Sequence, residues 1–207
     1  MRHSAFTLVE LLASMAVVAI LAALVFAGYG HALRAAKAAQ CTADMRQIGQ
    51  TFLAYAAESD GQLPQSSHQG PKLAWTTIVK RTLPARMFHS PLDDTRRTCS
   101  YAINDFLTAS PYGAESANFS RLQNIPAPSQ TLLLGILNRG QENSDHFHFA
   151  SEGWSSEAFG SDAWVEILGD AGLYLFVDGH VTRLAWSDLK QILAEPRTRF
   201  VRPDGNP

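Results

Sequence analysis

Ala5-Phe6-Thr7-Leu8-Val9-Glu10-Leu11-Leu12 opens an apolar stretch that continues to Gly30. From 11 to 30 the chain reads LLASMAVVAILAALVFAGYG, twenty residues without a charge. At 1.5 Å per residue, a helix of that length spans about 30 Å, the thickness of a bilayer's hydrocarbon core. Three readings fit such a run: a buried core helix, a secretory signal peptide removed whole, or a retained membrane helix. Glu10 separates them. A carboxylate in an apolar run is costly in lipid and is kept there for a function. Neither a signal peptide nor a plain anchor gains from it.

The helical pattern extends beyond Gly30. Residues 31–59 are rich in Ala, Gln, Leu and Met, which helices favour or accept. Met45, Ile48, Phe52 and Tyr55 recur at the spacing of one apolar face. Arg34, Lys37, Asp44, Arg46 and Glu58 are assigned to the opposite face. Asp60-Gly61 ends the helix and Pro64 confirms the break. Gly28 and Gly30, between the two halves, weaken the helix by about 1 kcal/mol each relative to Ala. They read equally well as a hinge or as the ordinary glycine content of membrane helices.

The 207 residues allow one domain with a real core plus an extension. A net charge of −2 gives no reason to expect nucleic-acid binding. Residues 131–137 form an apolar run between Pro128 and Asn138-Arg139-Gly140, the pattern of a central strand. Residues 173–177 and 181–186 are β-rich and flank Asp178-Gly179, which predicts a hairpin with a type I′ turn. Residues 187–194 predict a short helix with Ser187 as N-cap and Pro196 beyond it. The segment 61–129 is rich in turns, and its short elements cannot be ordered from the sequence. The expected fold is α+β, a long N-terminal α-helix packed against a small antiparallel sheet of three to five strands.

The stretch Ala5-Phe6-Thr7-Leu8-Val9-Glu10 resembles the processing motif of type IV prepilins and type II secretion pseudopilins: a small residue, Phe-Thr-Leu-x-Glu, then an apolar helix. The resemblance implies cleavage between Ala5 and Phe6 by a prepilin peptidase, N-methylation of Phe6 and an assembly role for Glu10. Ala5 replaces the family's usual Gly but is also small. The run from Cys41 to Pro64, with Tyr101-Ala102-Ile103-Asn104 and Val177-Asp178-Gly179, is similar to a pseudopilin-like group marked by a C-terminal His-x9-Asp-Gly motif. Here Leu168 stands where that His would be, so nothing tied to the His carries over. The implied organisation is a leader at 1–5, a transmembrane half-helix at 6–30, a periplasmic half-helix at 31–59 and a pilin-like head at 60–207. The N-terminus would be cytoplasmic and the head periplasmic, on a single-pass inner-membrane anchor. The implied partners are the peptidase, other pilin or pseudopilin subunits and membrane lipid.

Other constellations carry less. His146 and His148 alternate and could face one metal, but two ligands are too few and the sequence offers no third, so no metal site is assigned. Asp93, Asp94 and Asp178 lack the regular spacing of a Ca²⁺ loop. Cys41 and Cys99 are candidates for one disulfide if the head is exported. Ser151 and the Ser155-Ser156 pair have no recognisable nucleophile setting, so no catalytic residue and no cofactor is expected. Trp154, Phe159 and Trp164 read as a recognition loop or as caps on the core. The expected function is a structural filament subunit of a type IV pilus or a type II secretion-type filament. The alternative is a minor, tip-like subunit or a membrane-anchored periplasmic binding module.

Overall fold

The computed structural model describes residues 7–110, 118–141, 144–148 and 155–205. The chain divides into two compact units, Met1–Ala39 and Gln40–Pro207. Helix α1 spans Leu8–Glu58. It runs without interruption through Gly28 and Gly30, where an added Cβ would meet nothing within 4 Å. Its first unit has side chains such as Leu12, Val18, Leu24 and Phe26 more than half exposed.

Within the second unit, the end of α1 is a core element. Cys41, Met45, Ile48, Phe52 and Ala56 are completely buried, stepping along one face at helical spacing. The predicted stripe is right through Phe52, but Ala56 occupies its last core position and Tyr55 is only half-buried. Asp44, assigned by the sequence to the polar face, is buried at 5% exposure because it borders the stripe beside Met45. Gly49 is also buried, and a Cβ there would come 2.9 Å from Leu175 Cδ1, so glycine allows the helix to lie close on the sheet. The helix ends in a Schellman cap, with Gly61 N–H donating to Ala56 O at 2.8 Å. The left-handed residue of that cap is Asp60, at φ +52°.

The sheet has four antiparallel strands: β1 Tyr101–Ile103, β2 Leu132–Ile136, β3 Ala171–Phe176 and β4 Val181–Ala185. They lie in the order β1-β2-β3-β4, which makes β2 central as predicted. The β3–β4 hairpin forms at Asp178-Gly179, but with a different turn. Positive φ occurs at Gly179 (+90°) and not at Asp178, so the turn is not type I′. The connection is one residue longer, with Phe176 N–H bonded to His180 O, and glycine takes the left-handed position.

Strand alternation splits the interior into two cores. Tyr101, Ile103, Leu134, Ile136, Leu173 and Leu175 join the α1 stripe, together with Trp75 of the short helix α2 (Trp75–Val79). Ala102, Leu132, Tyr174 and Phe176 face the other way, towards Phe147, Phe200 and two further helices, α3 (Ser156–Asp162) and α4 (Trp186–Ala194). Helix α4 starts one residue before the predicted cap. Its N-cap is Ala185, because Trp186 N–H donates to Asp170 O at 2.7 Å and the helix enters directly from β4.

Candidate functional site

The first described residues make a closed helix start. Thr7 N–H and Thr7 Oγ1 donate to the same oxygen, Glu10 Oε2, at 2.9 and 2.8 Å. Glu10 N–H returns to Thr7 Oγ1 at 3.3 Å. Leu11 N–H bonds to Thr7 O at 3.1 Å. This is a capping box: the side chains at both ends of Thr-x-x-Glu satisfy backbone donors that a helix start leaves without partners. Glu10 also places negative charge at the positive end of the helix dipole. The sequence carried the signal in Thr7-Leu8-Val9-Glu10, and the reading given above missed it. Beyond Glu10, α1 holds a segment long and apolar enough to cross a membrane, none of it buried among the described residues.

Ala5 and Phe6, the expected cleavage pair, lie outside the described residues, as do Ser151 and Trp154. The remaining head residues singled out by sequence have structural surroundings. Cys41 and Cys99 are free thiols rather than a bridge. Cys41 Sγ lies 3.3 Å from Ser90 Oγ and 3.5 Å from the Tyr101 hydroxyl, while Cys99 Sγ donates to Tyr101 O at 3.4 Å. Burial raises both thiol pKa values, that of Cys99 to about 11. Asp93 pairs with Arg97 at 3.0 Å and Asp94 with Arg139 at 2.6 Å. Asp178 accepts from His180 N–H at 3.1 Å. Each of the three carboxylates considered for calcium therefore has a partner within the chain. Ser155 caps α3 by accepting from Ala158 N–H at 3.1 Å. Phe159 is buried in the second core, and Trp164 packs partly buried on the first, under the Arg139 guanidinium.

His146 and His148 lie side by side, ring centres 4.7 Å apart. The fold adds two residues that sequence spacing does not reveal. The His68 ring lies tilted against that of His146, centres 4.1 Å apart, and Asp105 is the third member of a cluster whose ligand-type atoms all lie within 4.8 Å of one another.

Residues 1–26 match the family model described as the prokaryotic N-terminal methylation motif. The chain carries a prepilin-type N-terminus. Comparison with curated proteins and with solved structures gave no match. The prepilin-type match covers the capping box and most of the uncharged run, so the two features that stand out by physics fall inside it. A prepilin-type segment followed by an α+β head is the arrangement of a pilin-like subunit, and the unburied apolar helix fits a single-pass membrane anchor.

Proposed function

We propose that this chain is a structural filament subunit of the pilin or pseudopilin kind, with no catalytic role of its own. A prepilin peptidase cuts between Ala5 and Phe6 and the new Phe6 amine is methylated. The subunit then joins others, in a type IV pilus or a type II secretion-type filament, through the apolar part of α1. Before assembly that part lies in the inner membrane, with the N-terminus cytoplasmic and the head periplasmic. The observation that supports this reading is the N-terminal methylation match over a helical segment that is long and apolar enough to cross a membrane and unburied among the described residues.

Glu10 has a defined part in it. Cleavage leaves a charged amine four residues from Glu10, at the edge of a low-dielectric layer. An unpaired carboxylate or ammonium is heavily penalised there, so contacts that bring Glu10 of one subunit to the Phe6 amine of another are favoured over solitary chains. The capping box holds the carboxylate at the helix start, ready for that contact.

N-terminal mass spectrometry of the membrane-extracted protein tests the proposal. The expected mature chain starts at methylated Phe6. An intact Met1, or a cut near Ala27, refutes it.

A further inference from the structure

We propose that His68, Asp105 and His146 are the protein ligands of a divalent transition-metal site in the head, with zinc the best-fitting ion. The inference is independent of how the N-terminus is processed.

Two of the three side chains are buried with unsatisfied polar atoms. His146 is 6% exposed and its Nε2 has no hydrogen-bond partner. Asp105 is 1% exposed, and neither carboxylate oxygen receives a hydrogen bond; His68 Nδ1 lies 3.1 Å from Oδ2. Buried polar groups are nearly always satisfied, and ion binding is one of the few roles that explains those that are not. Two imidazole nitrogens and one carboxylate oxygen match a zinc site with an open fourth position, whereas calcium and magnesium require oxygen donors.

The surroundings resemble those of a built ligand set. Asp145 Oδ1 lies 2.8 Å from His146 Nδ1. As a carboxylate it accepts the Nδ1 proton, which leaves the lone pair on Nε2, the nitrogen that is buried without a hydrogen-bond partner. That carboxylate–histidine relay is the usual support behind a metal-bound imidazole. Asp145 is itself fixed by Ser67 N–H and Oγ, at 2.9 and 2.7 Å, and its carbonyl accepts from Trp75 Nε1 at 2.7 Å. Asn104 caps the short turn that presents Asp105, accepting from Phe106 N–H at 3.2 Å. Gln65 ties the His68 loop to the same turn, its Oε1 accepting from Ala109 N–H at 2.6 Å.

Tetrahedral zinc with bonds of about 2.1 Å sets its ligands about 3.4 Å apart, so the cluster must tighten on binding. His68 can supply that movement. Its side chain is 45% exposed and it sits in a single 3₁₀ turn, Ser67–Gln69. Bound metal would fasten three segments distant in sequence at one end of the sheet.

The test uses the full chain, purified in detergent micelles without a histidine tag and stripped with EDTA. Zinc chloride is titrated by calorimetry, retained metal is measured after gel filtration, and cobalt(II) replaces zinc to report geometry. Stoichiometric zinc, a tetrahedral cobalt spectrum and a zinc-dependent rise in thermal midpoint are expected. His68→Ala and Asp105→Asn should each weaken zinc binding by about tenfold or more, and Asp145→Asn by about 10- to 100-fold. His180→Ala, in the β3–β4 turn, should leave binding unchanged. If Asp105→Asn does not fold, His68→Ala decides alone, since its side chain lies outside both cores. A wild-type chain that retains no zinc, or whose zinc binding His68→Ala leaves unchanged, overturns the assignment.

Discussion

Thr7 and Glu10 hold each other at the start of the long helix, with two donors of Thr7 on one oxygen of Glu10 and Glu10's own N–H on the Thr7 hydroxyl. Capping and charge therefore reside in one side chain, and substitutions separate them. Gln also serves in a capping box, so Glu10→Gln keeps the helix start and removes only the charge. We expect Glu10→Gln to be cleaved normally and to lose about tenfold or more of its incorporation into filaments, because the unpaired amine is no longer matched. Thr7→Ala, which weakens the cap and keeps the charge, should still be incorporated. Quantitative blotting of sheared filaments against the membrane fraction checks both, and equal incorporation of wild type and Glu10→Gln would rule out charge pairing.

The thiols make a second prediction. Burial raises the Cys41 thiol above its ordinary value and that of Cys99 to about 11, and the thiolate is the reactive form. Iodoacetamide at mildly alkaline pH should label neither residue in the folded protein and both after unfolding without reductant. If the unfolded protein, given no reductant, stays unlabelled, the two sulfurs were bridged.

A buried ion pair makes a third. Asp93 and Arg97 have side chains 0% and 5% exposed, and Arg97 also donates to Gln141 O and Asn138 O, each at 3.0 Å. Removing one partner leaves an uncompensated buried charge, so Arg97→Met should cost about 3–5 kcal/mol in chemical denaturation. Burial opposes the Asp93 charge, but bonds from Ser100 and Thr95 and the Arg97 charge outweigh it and hold its pKa below 3.8. A lowered carboxylate contributes stability above the unfolded value, and that stability is lost as pH falls through the folded one. The thermal midpoint should therefore drop as pH goes below 3.8, and Arg97→Met should flatten that limb.

Asp44 has the opposite sign. Burial raises its pKa and Arg86 only partly offsets it, so ionised Asp44 destabilises the folded head. The penalty is present at neutral pH and disappears below 3.8, where the group is protonated in both states. Asp44→Asn should raise the thermal midpoint at neutral pH and give no gain in acid. A midpoint lowered at neutral pH would show that the charge has a stabilising partner.

Features carried by local periodicity were legible in the sequence. The uncharged run, the Met45-Ile48-Phe52 stripe, the central strand at 131–137 and the 178–179 hairpin all follow from spacing within a dozen residues. What failed was also local but finer. A one-residue angular difference puts Asp44 inside and Tyr55 at the margin, and the hairpin's added residue changes the turn type. The His68–Asp105–His146 cluster lay beyond reach for another reason. Its members come from three loops, brought together by the parallel bridge of Ile103 with His146 and by Gln65 bonding across to Ala109. No spacing rule encodes such pairings, so His146 and His148 lack a third ligand when read along the chain.

The stripe from Cys41 to Ala56 has a consequence for the order of events as the chain is made. It lies near the start of the head, yet β2 and β3, which cover it, come more than seventy positions later. A ribosome therefore releases these apolar side chains long before the strands that cover them exist. Contacts so distant along the polypeptide close slowly. For that interval the nascent head is sticky along one side, and whatever shields it from its neighbours sets the yield of soluble, correctly closed subunits.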